Sequence, residues 1–372
     1  MLGELNHFVH EKADFRQFFS RYLLSRGLRT FAEELGWSDG VRVERFLHGD
    51  EQALSRLPSF GYTGHLREDR ADRPTGILRA SFDAYPTSLF VDEQSRFYRA
   101  LRESAPEGRL NYFGFDIDGS PGGTYEDIEV ILSDFKRSPA ISDFLSSLAR
   151  VRGERPLEEA ERLIRSRALL ENGAEDADAR TLAFVKASLD ALIDSLRYVA
   201  ETYGASTYEA LRPGMALRED AMKRRIEDIG IVSSTGSKIV MMGHALHLVK
   251  DDRKLASDPG GVGPGGGLTC SLGHHLAQVK RKRVFSVWFA YGAGEDSQPF
   301  PDLPREARYP SSSFNALLAS FGTPLILPTD DPLLRQPVSL GHMYNSLVEL
   351  PLADQADAIF FLPRVTALRS LE

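Results

Sequence analysis

Cysteine is almost absent from this chain of 372 residues: Cys270 is its one thiol. A single cysteine excludes an internal disulfide and any cysteine-cluster metal site. Its approach is glycine-rich rather than cationic, so it reads as an ordinary thiol. Positive charge is also short. Lys and Arg number 45 against 53 Asp and Glu, a formal net charge of -8, which speaks against nucleic acid or an anionic membrane as partner. The basic run Lys280-Arg281-Lys282-Arg283 is brief, leads into an expected strand and reads as a solvated strand entry. No apolar run approaches the ~20 residues of a transmembrane helix. The start is acidic and polar, without the basic and apolar regions of a secretory signal, so a cytoplasmic protein is expected. Nucleophile motifs are missing as well. There is no Gly-x-Ser-x-Gly elbow, and Gly260–Gly267 lacks both the Gly-Lys-Ser/Thr and the leading strand of a phosphate loop.

Apolar material is ample. With 42% hydrophobic and 10% aromatic residues, the chain can bury the core of one large α/β domain or two ordinary ones. Gly3-Glu4-x-x-His7 forms a turn that runs into a helix with Phe15, Phe18, Phe19, Tyr22 and Leu23 at i, i+3, i+4, i+7 and i+8. That stripe is expected to face a core. Gly27 stops the helix, and Leu28–Glu34 reads as a strand ending in carboxylates. A short helix around Val41–Leu47, a loop over 60–80 and a helix near Glu93–Glu103 precede a second acid-ended strand, Leu110–Asp116, followed by the turn Gly119–Gly123. From Tyr125 to Ile229 the pattern is helical. Leu182, Val185, Leu189, Leu192, Leu196 and Val199 repeat at threes and fours as a bundle seam, and Pro156, Gly173 and Gly204 punctuate it.

The α/β pattern returns with Lys238–His247. Strands at Val284–Tyr291, Leu325–Leu327 and Ala358–Leu362 then alternate with a helix at Phe314–Phe321, and Ser271 opens another helix. The expected fold is α/β: a mainly parallel sheet flanked by helices, with a large all-helical insert. Its segments are a first half of the core over 1–118, the insert over 119–235 and the second half of the core over 236–372. The opening strand is all but missing, because only Met1 and Leu2 precede Gly3. The expectation is therefore a chain that starts inside its natural first strand and holds Glu4 and His7 loosely.

In open α/β sheets the ligand site lies at the carboxyl ends of the strands. Glu4, His7, Glu34, Asp116, His244 and His247 are all expected there. A histidine beside a carboxylate suits general-base work near neutral pH, since the acid fixes tautomer and orientation. Taken alone, Glu-x-x-His is a weak signal and more often a surface turn. Arg16 could reach back over that turn, and Arg218-Glu219-Asp220 puts another arginine beside acids. His244 and His247, three apart, could share a zinc ion; the plainer reading is a turn histidine and one packed on the sheet. His48, His65 and His342 have no acidic or histidine partner at motif spacing and read as structural. His274 and His275 open a helix beside Asp258–Gly267, which is a surface loop or a mobile lid.

Six stretches in this order resemble the erythromycin esterase family, which includes relatives named for succinoglycan biosynthesis. They are Leu2–His7 with Phe15-Arg16, Phe31–Trp37, Phe113–Asp116, Arg218–Met222, Met242–His247 and Ser271–Leu276. The resemblance implies a hydrolase that opens macrolide lactones with activated water and forms no covalent intermediate. His7 matches the family's general base and Glu4 the glutamate of the same motif. Arg16, Glu34, His244 and His247 match other catalytic cleft residues, while Arg218, Asp116 and His274 are taken as substrate-binding. The expected partner is a small-molecule ester or lactone, with no cofactor and no metal. Two departures stand out: Phe8-Val9 where the family often has Gly-Thr, and His244-Ala-Leu-His247 where it often has His-Asn-x-His. Two other readings stay open. One is a metallohydrolase with Glu4, His7, His244 and His247 as ligands. The other is a binding or biosynthesis-associated protein that kept the fold without the chemistry.

Overall fold

Val287–Tyr291 is apolar throughout and buried throughout, the signature of a parallel strand covered on both faces. It opens the strand β5 (Val287–Glu295), around which the first of two units is built. The computed structural model describes residues 1–54, 87–105, 110–117, 121–133, 139–151, 155–173, 179–232, 238–255, 271–298, 305–342 and 345–370. The 60–80 loop and Asp258–Gly267 lie outside the described residues. The first unit comprises Met1–Phe31, Ala84–Arg109 and Ile239–Glu372, and the second Ala32–Asp83 and Leu110–Lys238.

In the first unit β1 (Leu2–Glu4), β4 (Ile239–His244), β5, β7 (Leu325–Pro328) and β10 (Ala358–Val365) run in the order β4-β1-β5-β10-β7, and β6 (Glu306–Arg308) pairs with β5. β1 is parallel to both neighbours, with Glu4 in register with His244 on one side and Phe289 on the other. β10 is parallel to β5, while β7 and β6 are antiparallel additions. The opening strand is therefore present, as three residues. Three suffice because pairing on both sides satisfies its backbone, and Leu2, Gly3 and Glu4 are all buried. Gly3 is needed there: a Cβ would lie 2.9 Å from the Trp288 ring and 3.1 Å from the Ala245 backbone.

Helix α1 (Glu11–Ser25) corrects the aromatic stripe. Lys12, Ala13, Phe15, Arg16, Ser20 and Leu24 face inward, whereas Phe18 is 55% and Tyr22 56% exposed. Phe15 stacks on Phe289 at 5.5 Å. The helix is turned by one position because its arginine, not its outer aromatics, has a buried partner. An antiparallel hairpin of β8 (Pro337–Gly341) and β9 (Leu347–Pro351) was not anticipated from the sequence.

In the second unit β2 (Thr30–Gly36) and β3 (Asn111–Asp116) are neighbours. Helix α2 (Trp37–Leu47) crosses β3 at a glycine contact. A Cβ on Gly114 would lie 2.0 Å from the Gly36 carbonyl oxygen, and one on Gly40 1.9 Å from the Gly114 nitrogen. Apart from α3 (Thr87–Ser104) of the first unit, the helices that follow belong to the second: α4 (Pro121–Leu132), α5 (Pro139–Val151), α6 (Pro156–Gly173), α7 (Ala179–Thr202) and α8 (Tyr208–Val232). Pro121–Gly123, read as part of a turn, is the first turn of α4, where proline's missing N–H costs nothing. The seam from Val185 to Leu196 packs into one core with Ile128, Phe144 and Leu163. The fold is mixed α/β, with a mostly parallel central sheet and flanking helices. No described helix is long and apolar enough to cross a membrane.

The two kinds of glycine separate in a stability measurement. Gly114→Ala forces its Cβ into backbone and is expected to cost about 3 kcal/mol. Gly230→Ala, on an exposed turn of α8 with nothing within 4 Å, should gain roughly 0.5–1 kcal/mol through helix propensity. Urea midpoints of the two variants check both signs.

Candidate active site

Glu4 ends β1 with its carboxylate fully buried. Burying a charge demands compensation, and α1 supplies it: Arg16 Nη2 donates to Glu4 Oε1 at 2.7 Å, with both side chains at most 1% exposed. Burial pushes the Glu4 carboxyl up, but the guanidinium of Arg16, the bond to His7 and the charge of Lys12 together hold it below its ordinary value. Oε2 of Glu4 has no hydrogen-bond partner among the described residues. His7 Nδ1 lies 3.3 Å from Glu4 Oε1. With Nδ1–H directed to the carboxylate, the imidazole's basic lone pair is on Nε2.

Asn6 holds the turn between them. Its Oδ1 accepts from the Phe8 N–H at 2.8 Å, while Nδ2 donates to Tyr291 Oη and Asp296 Oδ2, each at 2.6 Å. These bonds tie the turn that carries Glu4 and His7 to β5 and to the residue after it. Phe8 and Val9 are wholly buried, so the substitution for Gly-Thr serves packing. Ala245, where the resembled family often has Asn, belongs to an apolar cluster with Leu5 and Trp288.

The register of β1 with β4 brings His244 beside this pair, its ring centroid 4.9 Å from that of His7. His244 Nδ1 accepts from the Leu246 N–H at 3.3 Å. Its proton is therefore on Nε2, 3.0 Å from His342 Nε2. His342 in turn carries its proton on Nδ1, 2.9 Å from Ser346 Oγ. Burial, with the nearby His7, pushes His342 down to about 3, so it is neutral and its tautomer is set by these bonds. Sequence reasoning missed His342, because its partner is 98 positions away and no spacing motif spans a hairpin. His247 is buried one turn on, its ring centroid 6.1 Å from that of His244.

Glu34, Asp116 and Arg218 form a separate cluster in the second unit. Arg218 Nη2 bridges Glu34 Oε1 at 2.7 Å and Asp116 Oδ2 at 2.6 Å, and Nε reaches Asp116 Oδ1 at 2.9 Å. Burial alone would lower the Arg218 pKa; Asp116 and Glu34 outweigh it and raise it well above the ordinary value. His274 stands on the helical turn Leu272–His274, with Nδ1 2.8 Å from Asp252 Oδ1. The sequence-predicted residues thus fall into three groups: Glu4, His7, Arg16, His244 and His247; Glu34, Asp116 and Arg218; and His274. Among the described residues, Asp251, Asp252 and His274 bring three possible ligand atoms within 4.8 Å of one another.

This architecture, a mixed α/β fold with a mostly parallel central sheet, is a fold class seen in solved proteins. A structure from Bacillus cereus matches with a TM-score of 0.68 at 14% identity, over 100% of this chain and 89% of that one. A succinoglycan biosynthesis protein matches at 0.66 and 14%, over 98% and 88%. An erythromycin esterase, the EreC histidine-to-asparagine mutant in its open conformation, matches at 0.61 and 17%, over 99% and 91%. No family model and no curated protein matches the sequence. The likeness is one of fold.

Two expectations follow from the charges. Burial lifts the Asp296 carboxyl from 3.8 to about 6, against the opposing bonds from Asn6 and Gln298. A folded pKa raised above the unfolded one gives a contribution that is full below pH 3.8 and lost as pH rises through 6. That loss is roughly 3 kcal/mol. Asp296→Asn should remove it, so urea midpoints of variant and wild type diverge between pH 4 and 6.5. Arg218→Leu leaves two buried carboxylates unpaired and is expected to cost about 3–5 kcal/mol, read in the same denaturation assay.

Proposed function

We propose that this protein is a hydrolase that cleaves an ester or lactone with water activated by His7. The observation that carries the reading is the buried Glu4–His7 pair at the carboxyl end of β1, clamped by Arg16. His7 Nε2 takes a proton from water as the water oxygen attacks the carbonyl carbon. The ionised Glu4 stabilises the imidazolium that forms and keeps its orientation. His247 is the proposed donor to the oxyanion of the tetrahedral intermediate. Collapse of that intermediate breaks the C–O bond, and the imidazolium returns its proton to the leaving alkoxide. One water is consumed, and an acid and an alcohol are produced. Neutral His342 keeps His244 in one tautomer, so no second positive charge competes with the imidazolium.

The likeness to a protein named for succinoglycan biosynthesis favours a second reading, a binding or biosynthesis-associated protein on the same fold. Mass spectrometry of a macrolide lactone and of simple aryl esters incubated with the protein separates the two. The expected result is the gain of one water, reduced about 10²–10⁴-fold in His7→Ala, reduced less in His247→Ala and unchanged by chelator. Equal rates in His7→Ala and wild type would remove His7 from the chemistry. No turnover of any ester by wild-type protein would leave the binding reading in its place.

A further inference from the structure

His274 is 8% exposed, and its Nδ1 is buried without a hydrogen bond. That atom nevertheless lies 2.8 Å from Asp252 Oδ1 and 3.6 Å from Asp251 Oδ1. The two carboxylates and the imidazole nitrogen all fall within 4.8 Å of one another. Neighbouring ligands of a cation with bonds of about 2.0–2.2 Å are spaced by roughly 2.9 Å in octahedral and 3.5 Å in tetrahedral geometry. The two distances from His274 fall within about 0.1 Å of these two spacings.

Each donor is held by a residue outside the trio. Gln355 fixes the Asp251 backbone, accepting its N–H at 3.0 Å and donating to its carbonyl at 2.8 Å. Asp252 Oδ2 accepts the Ser271 N–H at 2.5 Å. Ser271 Oγ caps the turn by accepting the His274 N–H at 3.2 Å. Gly273 lets that turn lie flush on the backbone, since a Cβ there would be 2.4 Å from the Leu248 carbonyl carbon. Arg253, itself 67% exposed, donates to both oxygens of Asp251, so one carboxylate is partly neutralised and the other is not. Two like charges brought together beside an unsatisfied nitrogen suit a divalent cation.

We propose that Asp251, Asp252 and His274 bind a divalent transition-metal ion, zinc or manganese, that ties the segment after β4 to the turn at Leu272–His274. Two carboxylate oxygens and one imidazole nitrogen favour these ions over calcium and magnesium, which take oxygen alone. The site is separate from the Glu4–His7 chemistry and does not rest on it.

Chelator-stripped protein titrated calorimetrically with Zn²⁺ and with Mn²⁺, and with Co²⁺ followed by its visible absorption, tests the site. One equivalent is expected to bind, with affinity at least tenfold weaker in Asp252→Asn and in His274→Ala and unchanged in His244→Ala. The thermal midpoint should rise with Zn²⁺ or Mn²⁺ in wild type but not in Asp252→Asn. Circular dichroism establishes the fold of each variant. If His274→Ala does not fold, the near-isosteric Asp252→Asn decides alone. No binding by wild type would mean an ion pair only and would overturn the proposal. Binding that survives in a folded Asp252→Asn, or is lost in His244→Ala, would overturn it equally.

Discussion

The burial of Glu4 governs the first unit. A carboxylate with no exposed surface must have a cation beside it, and Arg16 is that cation. Leaving such a charge unpaired costs about 3–5 kcal/mol, while leaving one aromatic side chain in water forfeits roughly 1.5–3 kcal/mol. With two aromatics outside, the penalties are of the same order, and the rotation observed is the one in which Arg16 meets Glu4. Arg16 and Lys12 point inward, and Phe18 and Tyr22 are left outside. The helix therefore contradicts its own hydrophobic pattern at the place where the pattern meets the chemistry.

The same constraint accounts for the firmness of a three-residue strand. β1 is short, but each of its residues is in register with a residue on both sides, and the turn after it is fastened by Asn6 to Tyr291 and Asp296 on and beside β5. That pairing sets Glu4 next to His244. His244 leads to His342 through nitrogens whose protons are fixed by a backbone N–H at one end and a serine hydroxyl at the other. An ordered histidine pair therefore stands beside the carboxylate–imidazole couple.

Much of this was legible in the sequence. Apolar runs at Ile239–Met242, Val287–Tyr291 and Ala358–Leu362 announced the strands, and the leucine seam from Val185 to Leu196 announced the helices of the second unit. The grouping of Glu4, His7 and His244 could also be read, because each ends or follows a strand at a predictable edge. What could not be read depends on contacts that no local period encodes. His342 follows β8 directly and meets His244, 98 positions earlier in the chain. Glu34 and Asp116 were visible as strand-end acids, but only the folded chain shows that Arg218 holds them both. Arg16 was visible as a cation near the turn, yet the aromatic spacing of α1 argued for the wrong face.

Histidines divide between two tasks according to what occupies their nitrogens. Both nitrogens of His244 are engaged, one by the Leu246 N–H and one by His342, so a cation there would have to break a tautomer relay as well as desolvate. His274 presents the opposite balance. Its Nδ1 faces two carboxylates without a hydrogen bond, and neutralising those charges with a cation removes a repulsion instead of a bond. The pair His244–His247 drew the metal reading from sequence because its spacing is visible there. Asp251, Asp252 and His274 are brought together by the packing of Gly273 on Leu248 and Val249 and by the Ser271 N–H on Asp252, contacts that become apparent once the turn is docked.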